Sequence, residues 1–212
     1  TDDVRGDLHH NKFLLADRGN ESVLVFATGN FSNPALTINH ESWSFVTDQS
    51  DSKLISDHRC LILALKKYKD DLSRFRQDLN SCRSQNDNKT DSIESLFVPT
   101  DSARLLKILE EQFKNSSRVL LTSNRYSFDR ITKMFSSSPS HDSRAIFDDD
   151  LYWGGIQPTD DYVNEALDAK KVAALEKTPA KVRFMQTSFG AAQKMHNKFI
   201  VFDSVVVVGA GN

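Results

Sequence analysis

Residues 10–17 read His10-Asn11-Lys12-Phe13-Leu14-Leu15-Ala16-Asp17, and residues 196–203 read His196-Asn197-Lys198-Phe199-Ile200-Val201-Phe202-Asp203. The two octets carry His, Asn, Lys, Phe and Asp at identical spacing. Each leads into a second apolar stretch that closes on small residues and an Asn: Ala27-Thr28-Gly29-Asn30 after the first, Gly209-Ala210-Gly211-Asn212 after the second. Side chains on a strand alternate faces, so His and Lys at i and i+2 project from one face. The apolar residues behind them anchor the strand in a core and hold both polar groups on a rigid element. Asp falls at the strand's end, and Asn closes the next strand, from where it can approach the same place.

Two such copies related by a pseudo-twofold would assemble two imidazoles and two ammoniums in one pocket. Two ammoniums neutralise a phosphodiester. Two imidazoles divide the remaining labour, one attacking phosphorus and the other protonating the leaving oxygen. The lysines and amides supply the positive field, so this chemistry calls for no metal and no cofactor. One copy of the pattern is a weak signal; two with matching flanks are a strong one.

Between the octets the chain alternates strands and helices. Apolar runs predict strands at 11–17, 21–27, 41–46, 118–121, 144–147, 182–185, 198–203 and 205–208. Leu61, Leu65, Tyr68, Leu72, Phe75 and Leu79 recur at +4, +3, +4, +3, +4, which predicts one helix of about six turns with Asp57 as N-cap. Further helices are predicted after Thr100 or Asp101, at 128–135 and at 162–170. The polar segment 81–95 reads as a linker or exposed loop. Strands alternating with helices argue for an α/β layered architecture. Cys60 and Cys82 would stand roughly 33 Å apart on one helix at ~1.5 Å per residue, too far for a disulfide, so both are expected to be thiols.

Composition adds bounds. Hydrophobic residues make up 39% and charged residues 26% of 212, which excludes a fibrous or disordered chain. No apolar run reaches the ~18–20 residues needed to span a bilayer, and no charged-then-apolar start marks a signal peptide, so the compartment stays open, secretion included. A net charge of −2 argues against a general nucleic-acid-coating protein while leaving room for a local basic groove. Val205–Gly211 imitates a dinucleotide-binding turn but lacks the third glycine and the helix. Asp148-Asp149-Asp150 reads as a solvated carboxylate run rather than a metal site. Four Asn-x-Ser/Thr sequences begin at Asn20, Asn30, Asn88 and Asn115, where about two would arise by chance.

The paired octets resemble the phospholipase D superfamily, whose signature is HxKx4D followed by Gly-Ser-x-Asn, twice per active site. Their flavour is similar to the nuclease-like and uncharacterised phosphodiesterase branches. The resemblance implies an α/β fold of mixed sheets flanked by helices, in two pseudo-symmetric halves with the active site between them. It implies that His10 and His196 are nucleophile and general acid, in one order or the other. Lys12, Lys198, Asn30 and Asn212 would bind the phosphate, Asp17 and Asp203 would support the catalytic set, and Thr28 and Glu41 would orient it. The expected reaction is metal-independent phosphodiester hydrolysis through a phosphohistidine, on nucleic acid in the first place and phospholipid in the second. No obligate dimer is required, because one chain holds both motifs. The turns depart from the signature at Ala27, Thr28 and Ala210, which keeps a catalytically weakened phosphate-binding module as a third reading.

About 100 residues of strand and helix precede the second octet, and nine precede the first. The expected organisation is a truncated first half at 1–80, the linker at 81–95 and a second half at 96–212. Sequence upstream of His10 and after Asn212 is expected to be missing.

Overall fold

The computed structural model describes residues 10–68, 71–86, 92–140, 142–148, 163–185 and 195–209. Among them the chain is mixed α/β, with two sheets and six helices. It divides into two compact units.

The unit made of Phe13–Phe26 and Ser44–Ile108 carries a three-stranded sheet, β1 (Phe13–Arg18), β2 (Glu21–Ala27) and β3 (Trp43–Gln49), in that order. β1 and β2 form an antiparallel hairpin from Phe13↔Phe26 to Arg18↔Glu21. Its turn uses Gly19 at φ +67, a left-handed conformation open to glycine at no steric cost. Leu24 of β2 packs with Leu54 and Ile55 beneath Phe13, Leu15, Phe26 and Val46.

The long apolar stripe folds as two helices, α2 (Lys53–Lys67) and α3 (Leu72–Ser84), packed on each other. This corrects the single six-turn helix. The Tyr68 N–H closes α2 on the Ala64 carbonyl, and the Asp71 carboxylate starts α3 by accepting from Arg74 N at 3.0 Å. Tyr68 and Leu72 keep the +4 spacing across the break, so apolar periodicity cannot register it. The hairpin folds Cys60 back onto Cys82, with Cα atoms 5.7 Å apart and a disulfide closed between them, which corrects the expectation of two thiols. The bond sits among Leu61, Ala64, Leu79 and Phe97. Asp57 is not the cap: α2 begins earlier, with Ser52 Oγ accepting from Ile55 N, and buried Asp57 instead takes Lys53 and Arg83, each at 3.4 Å. His58 is a core histidine, edge-on to Phe13 and Phe97 with Nδ1 2.9 Å from the Leu54 carbonyl. The polar segment from residue 81 opens as the last turn of α3.

The second unit, Thr1–Lys12, Ala27–Trp43 and Leu109–Asn212, is built on a five-stranded sheet of order β6-β5-β4-β7-β8. β4 (Arg118–Ser123), β5 (Asp142–Asp148) and β6 (Lys181–Met185) run parallel; β7 (Phe199–Val201) and β8 (Val206–Val208) form an antiparallel hairpin on β4. The strands alternate with α5 (Asp129–Ser137) and α6 (Val163–Leu175), as the sequence pattern predicts. Val119, Leu121, Ala145 and Phe147 are buried at alternate strand positions. The end of α4 (Ser102–Asn115) contributes Phe113, edge-on to Phe135 at 4.9 Å and Phe202 at 5.3 Å. A one-turn helix, α1 (Asn33–Thr37), begins with Pro34 in its first turn and was not predicted.

Candidate active site

The second octet enters the five-stranded sheet at the carboxyl ends of its parallel strands. Phe199 pairs with Thr122, so His196–Lys198 lie just beyond that edge. Asp148, the buried last residue of β5, accepts the Met195 N–H at 2.6 Å, and Thr122 Oγ1 lies 3.2 Å from Met195 Sδ. Open α/β sheets place their ligand crevices at this edge.

The two octets adopt one local geometry. Lys12 Nζ donates to the His10 carbonyl at 2.9 Å, and Lys198 Nζ to the His196 carbonyl at 3.0 Å. Ala27 N donates to the Lys12 carbonyl at 3.2 Å, and Gly209 N to the Lys198 carbonyl at 3.0 Å. Each Lys therefore opens a hairpin whose return strand closes on it. The first hairpin pairs Phe13 with Phe26 and the second Phe199 with Val208, so the first has four more residues, two per arm. An even increment preserves side-chain parity, and both lysines face the same way relative to their strands. Both are buried, at 8% and 4% exposure, which is rare for lysine without a purpose for its charge.

Glu41 joins the two copies. The backbone of His40 bridges to Met195, and the His196 N–H donates to the His40 carbonyl at 2.9 Å. Ser42 Oγ donates to Asn197 Oδ1 at 2.6 Å. Glu41, between them, points its carboxylate at the imidazole: His196 Nδ1 stands 2.9 Å from Oε1 and 3.1 Å from Oε2. Thr28 Oγ1 donates to Oε2 at 2.7 Å and accepts from Ser42 N at 3.0 Å; Asn39 Nδ2 donates to Oε1 at 3.5 Å. Every neighbour donates to Glu41, which makes His196 Nδ1 the donor and leaves Nε2 as the lone-pair nitrogen of the neutral ring. Gly29 makes room for this: a Cβ there would stand 2.5 Å from Glu41 Cδ.

The charges couple within this cluster. Burial pushes the Lys198 ammonium down to about 8; Glu41 opposes the shift and Lys12 adds to it. Burial lowers Lys12 too, again against the pull of Glu41. His196 is lowered by burial and by Lys198, with Glu41 pulling it up. The site thus holds a neutral imidazole beside two desolvated cations, an arrangement suited to attack on an anion.

Of the residues named from sequence, the structure brings together Lys12, Thr28, Glu41, His196 and Lys198. Half-buried His10 belongs to the same compact unit and lends its carbonyl to Lys12. Asp203 is not part of the cluster. Its carboxylate accepts Ser117 N at 2.8 Å and Arg118 N at 2.9 Å, anchoring the start of β4. Asp17 holds Ser22 Oγ at 2.6 Å and Arg59 Nη2 at 2.5 Å. Five residues of extended chain carry such an Asp roughly 16 Å from its Lys at ~3.3 Å per residue, so support from these carboxylates is architectural. Asn30 ends its turn exposed, and Asn212 lies outside the described residues, as do Ala210, Asp149 and Asp150. The sequence missed the positioning roles of Ser42, Asn197 and Asp148, because nothing in local spacing distinguishes them from surface polar residues. No family profile, no curated protein and no solved structure matches the chain.

Proposed function

We propose that this chain is a metal-independent phosphodiesterase of the phospholipase D type, with its active site between two pseudo-symmetric halves and nucleic acid as the favoured substrate. The observation that carries the reading is the buried pair Lys12 and Lys198, set by one local geometry twice over, beside a His196 whose tautomer Glu41 fixes. Lys12 and Lys198 hold the non-bridging oxygens of the phosphodiester. Nε2 of His196 attacks phosphorus; the N–P bond forms as the bond to the leaving oxygen breaks, and His10 delivers a proton to that oxygen. His10 then takes a proton from water, the water oxygen bonds phosphorus, and the N–P electron pair returns to Nε2. Glu41 offsets the positive charge on the ring while the intermediate lasts.

A phospholipid substrate is the second reading, favoured by one feature. Residues 27–40 hold no Lys, Arg, Asp or Glu, and Phe31, Leu36 and Ile38 are exposed beside the site turn. A nucleic-acid groove draws on Lys and Arg, whereas an acyl surface accepts such a segment.

The test is turnover in EDTA of single- and double-stranded DNA, RNA and phosphatidylcholine vesicles, with His196→Asn and His10→Asn beside the native chain. Cleavage that survives EDTA and disappears in both variants, with a phosphohistidine trapped at 196, supports the proposal. A strict metal requirement overturns it. Binding without turnover favours the phosphate-binding module.

A further inference from the structure

We propose that Asn20 and Asn115 are N-glycosylated, placing the mature chain in an oxidising secretory compartment. Two independent observations converge. The first is the Cys60–Cys82 disulfide, seated in the apolar core of its unit, where Cys60 is 3% exposed. Such bonds form and persist in oxidising compartments and are rare where thiol reductants dominate. The second is the position of the Asn-x-Ser/Thr sequences. Asn20-Glu21-Ser22 sits at the exposed tip of the β1–β2 hairpin, beside Gly19. Asn115-Ser116-Ser117 starts at the exposed last residue of α4.

In that compartment a polyprenyl-diphosphate-linked oligosaccharide is the donor. The bond from sugar C1 to the asparagine Nδ2 forms, the bond from C1 to the diphosphate oxygen breaks, and the amide proton leaves with the diphosphate. The acceptor sequence is read in the extended nascent chain, so the later engagement of Ser22 by Asp17 and of Ser117 by Asp203 is no obstacle. A hairpin tip and a helix end both let the glycan leave into solvent without breaking a backbone hydrogen bond. Asn30, whose amide belongs to the proposed phosphate cradle, is not included.

The experiment is peptide mapping of the protein from its natural source, unreduced, with peptide N-glycosidase F in heavy-oxygen water. Asn20 and Asn115 should appear as labelled Asp, and a peptide linked through Cys60 and Cys82 should accompany them. In a secretory host, Asn20→Gln and Asn115→Gln should each remove one step from the mass ladder, and the double variant both. Unlabelled Asn20 and Asn115 in the native protein overturn the proposal, as does a ladder that neither variant changes.

Discussion

Glu41 Oε1 lies 2.9 Å from His196 Nδ1, across 155 positions of sequence, and the contact ties the segment following the first octet to the second. It fixes which imidazole nitrogen carries the proton and which keeps the lone pair.

Glu41→Gln keeps the shape of this contact and removes its charge. An amide offers both donor and acceptor, so the imidazole loses its enforced tautomer. The expected fall in kcat/KM on a chromogenic phosphodiester is about 10²-fold or more. The acid limb of the pH profile should also move lower, since Glu41 is what pulls the His196 value up. An unchanged acid limb would leave Glu41 a purely structural role.

The native profile should be bell-shaped. His196 loses its lone pair on protonation, and its value lies below the ordinary 6.5, so the acid limb falls below that pH. Lys198 loses its charge near pH 8, so the alkaline limb falls there. Lys198→Arg, which cannot deprotonate in this range, should remove the step near pH 8 that Lys198 sets. Steady-state kinetics from pH 5 to 10 check both limbs.

Lys198→Met should trade activity for stability. Removing one cation from the proposed phosphate site should cost about 10²–10³-fold in kcat. A lysine whose folded value is about 8 against 10.5 unfolded leaves the unfolded chain binding more protons between those values. Native stability therefore rises with pH across that window, and the variant should lack this slope. Urea midpoints for the two chains at pH 7, 8, 9 and 10 decide it.

Gly29→Ala tests the packing around the carboxylate. The new Cβ meets Glu41 Cδ at 2.5 Å, and Glu41 is held by Thr28, Asn39 and His196. Either the turn or the carboxylate must shift, costing about 1–3 kcal/mol of stability, with an activity loss resembling that of Glu41→Gln. Calorimetry and kcat/KM on one preparation read both.

Opening the Cys60–Cys82 bond removes a cross-link that closes 22 residues. By chain entropy, Cys60→Ala/Cys82→Ala should cost about 3 kcal/mol. Urea midpoints of the native chain with and without reductant should differ by a similar amount, and the double variant should not respond to reductant.

Much of the fold was legible in local pattern. Period-two and period-3.6 runs located the strands and the longer helices, because both signals depend only on neighbouring residues. Most boundaries moved by a residue or two, and α1 went unseen because five residues carry no periodicity. The stripe from Leu61 to Leu79 misled, since a hairpin that keeps its apolar spacing through the turn looks like one helix. That single error produced the second, the separation of Cys60 from Cys82.

The sequence by itself determined the local geometry of both octets. Equal spacing of His, Lys and apolar residues imposes the same strand, the same Lys-to-His-carbonyl bond and the same closing N–H on each. Only the tertiary structure decided that Glu41 meets His196, and where the two motif carboxylates go. Asp17 and Asp203 stand at fixed offsets in the motif, yet each is claimed by partners on other elements, and Glu41 reaches His196 because an isolated backbone bridge aligns His40 with Met195. Torsions within a few residues follow from local chemistry; contacts between elements follow from how the layers bury their apolar faces, and no spacing along the chain encodes that distance.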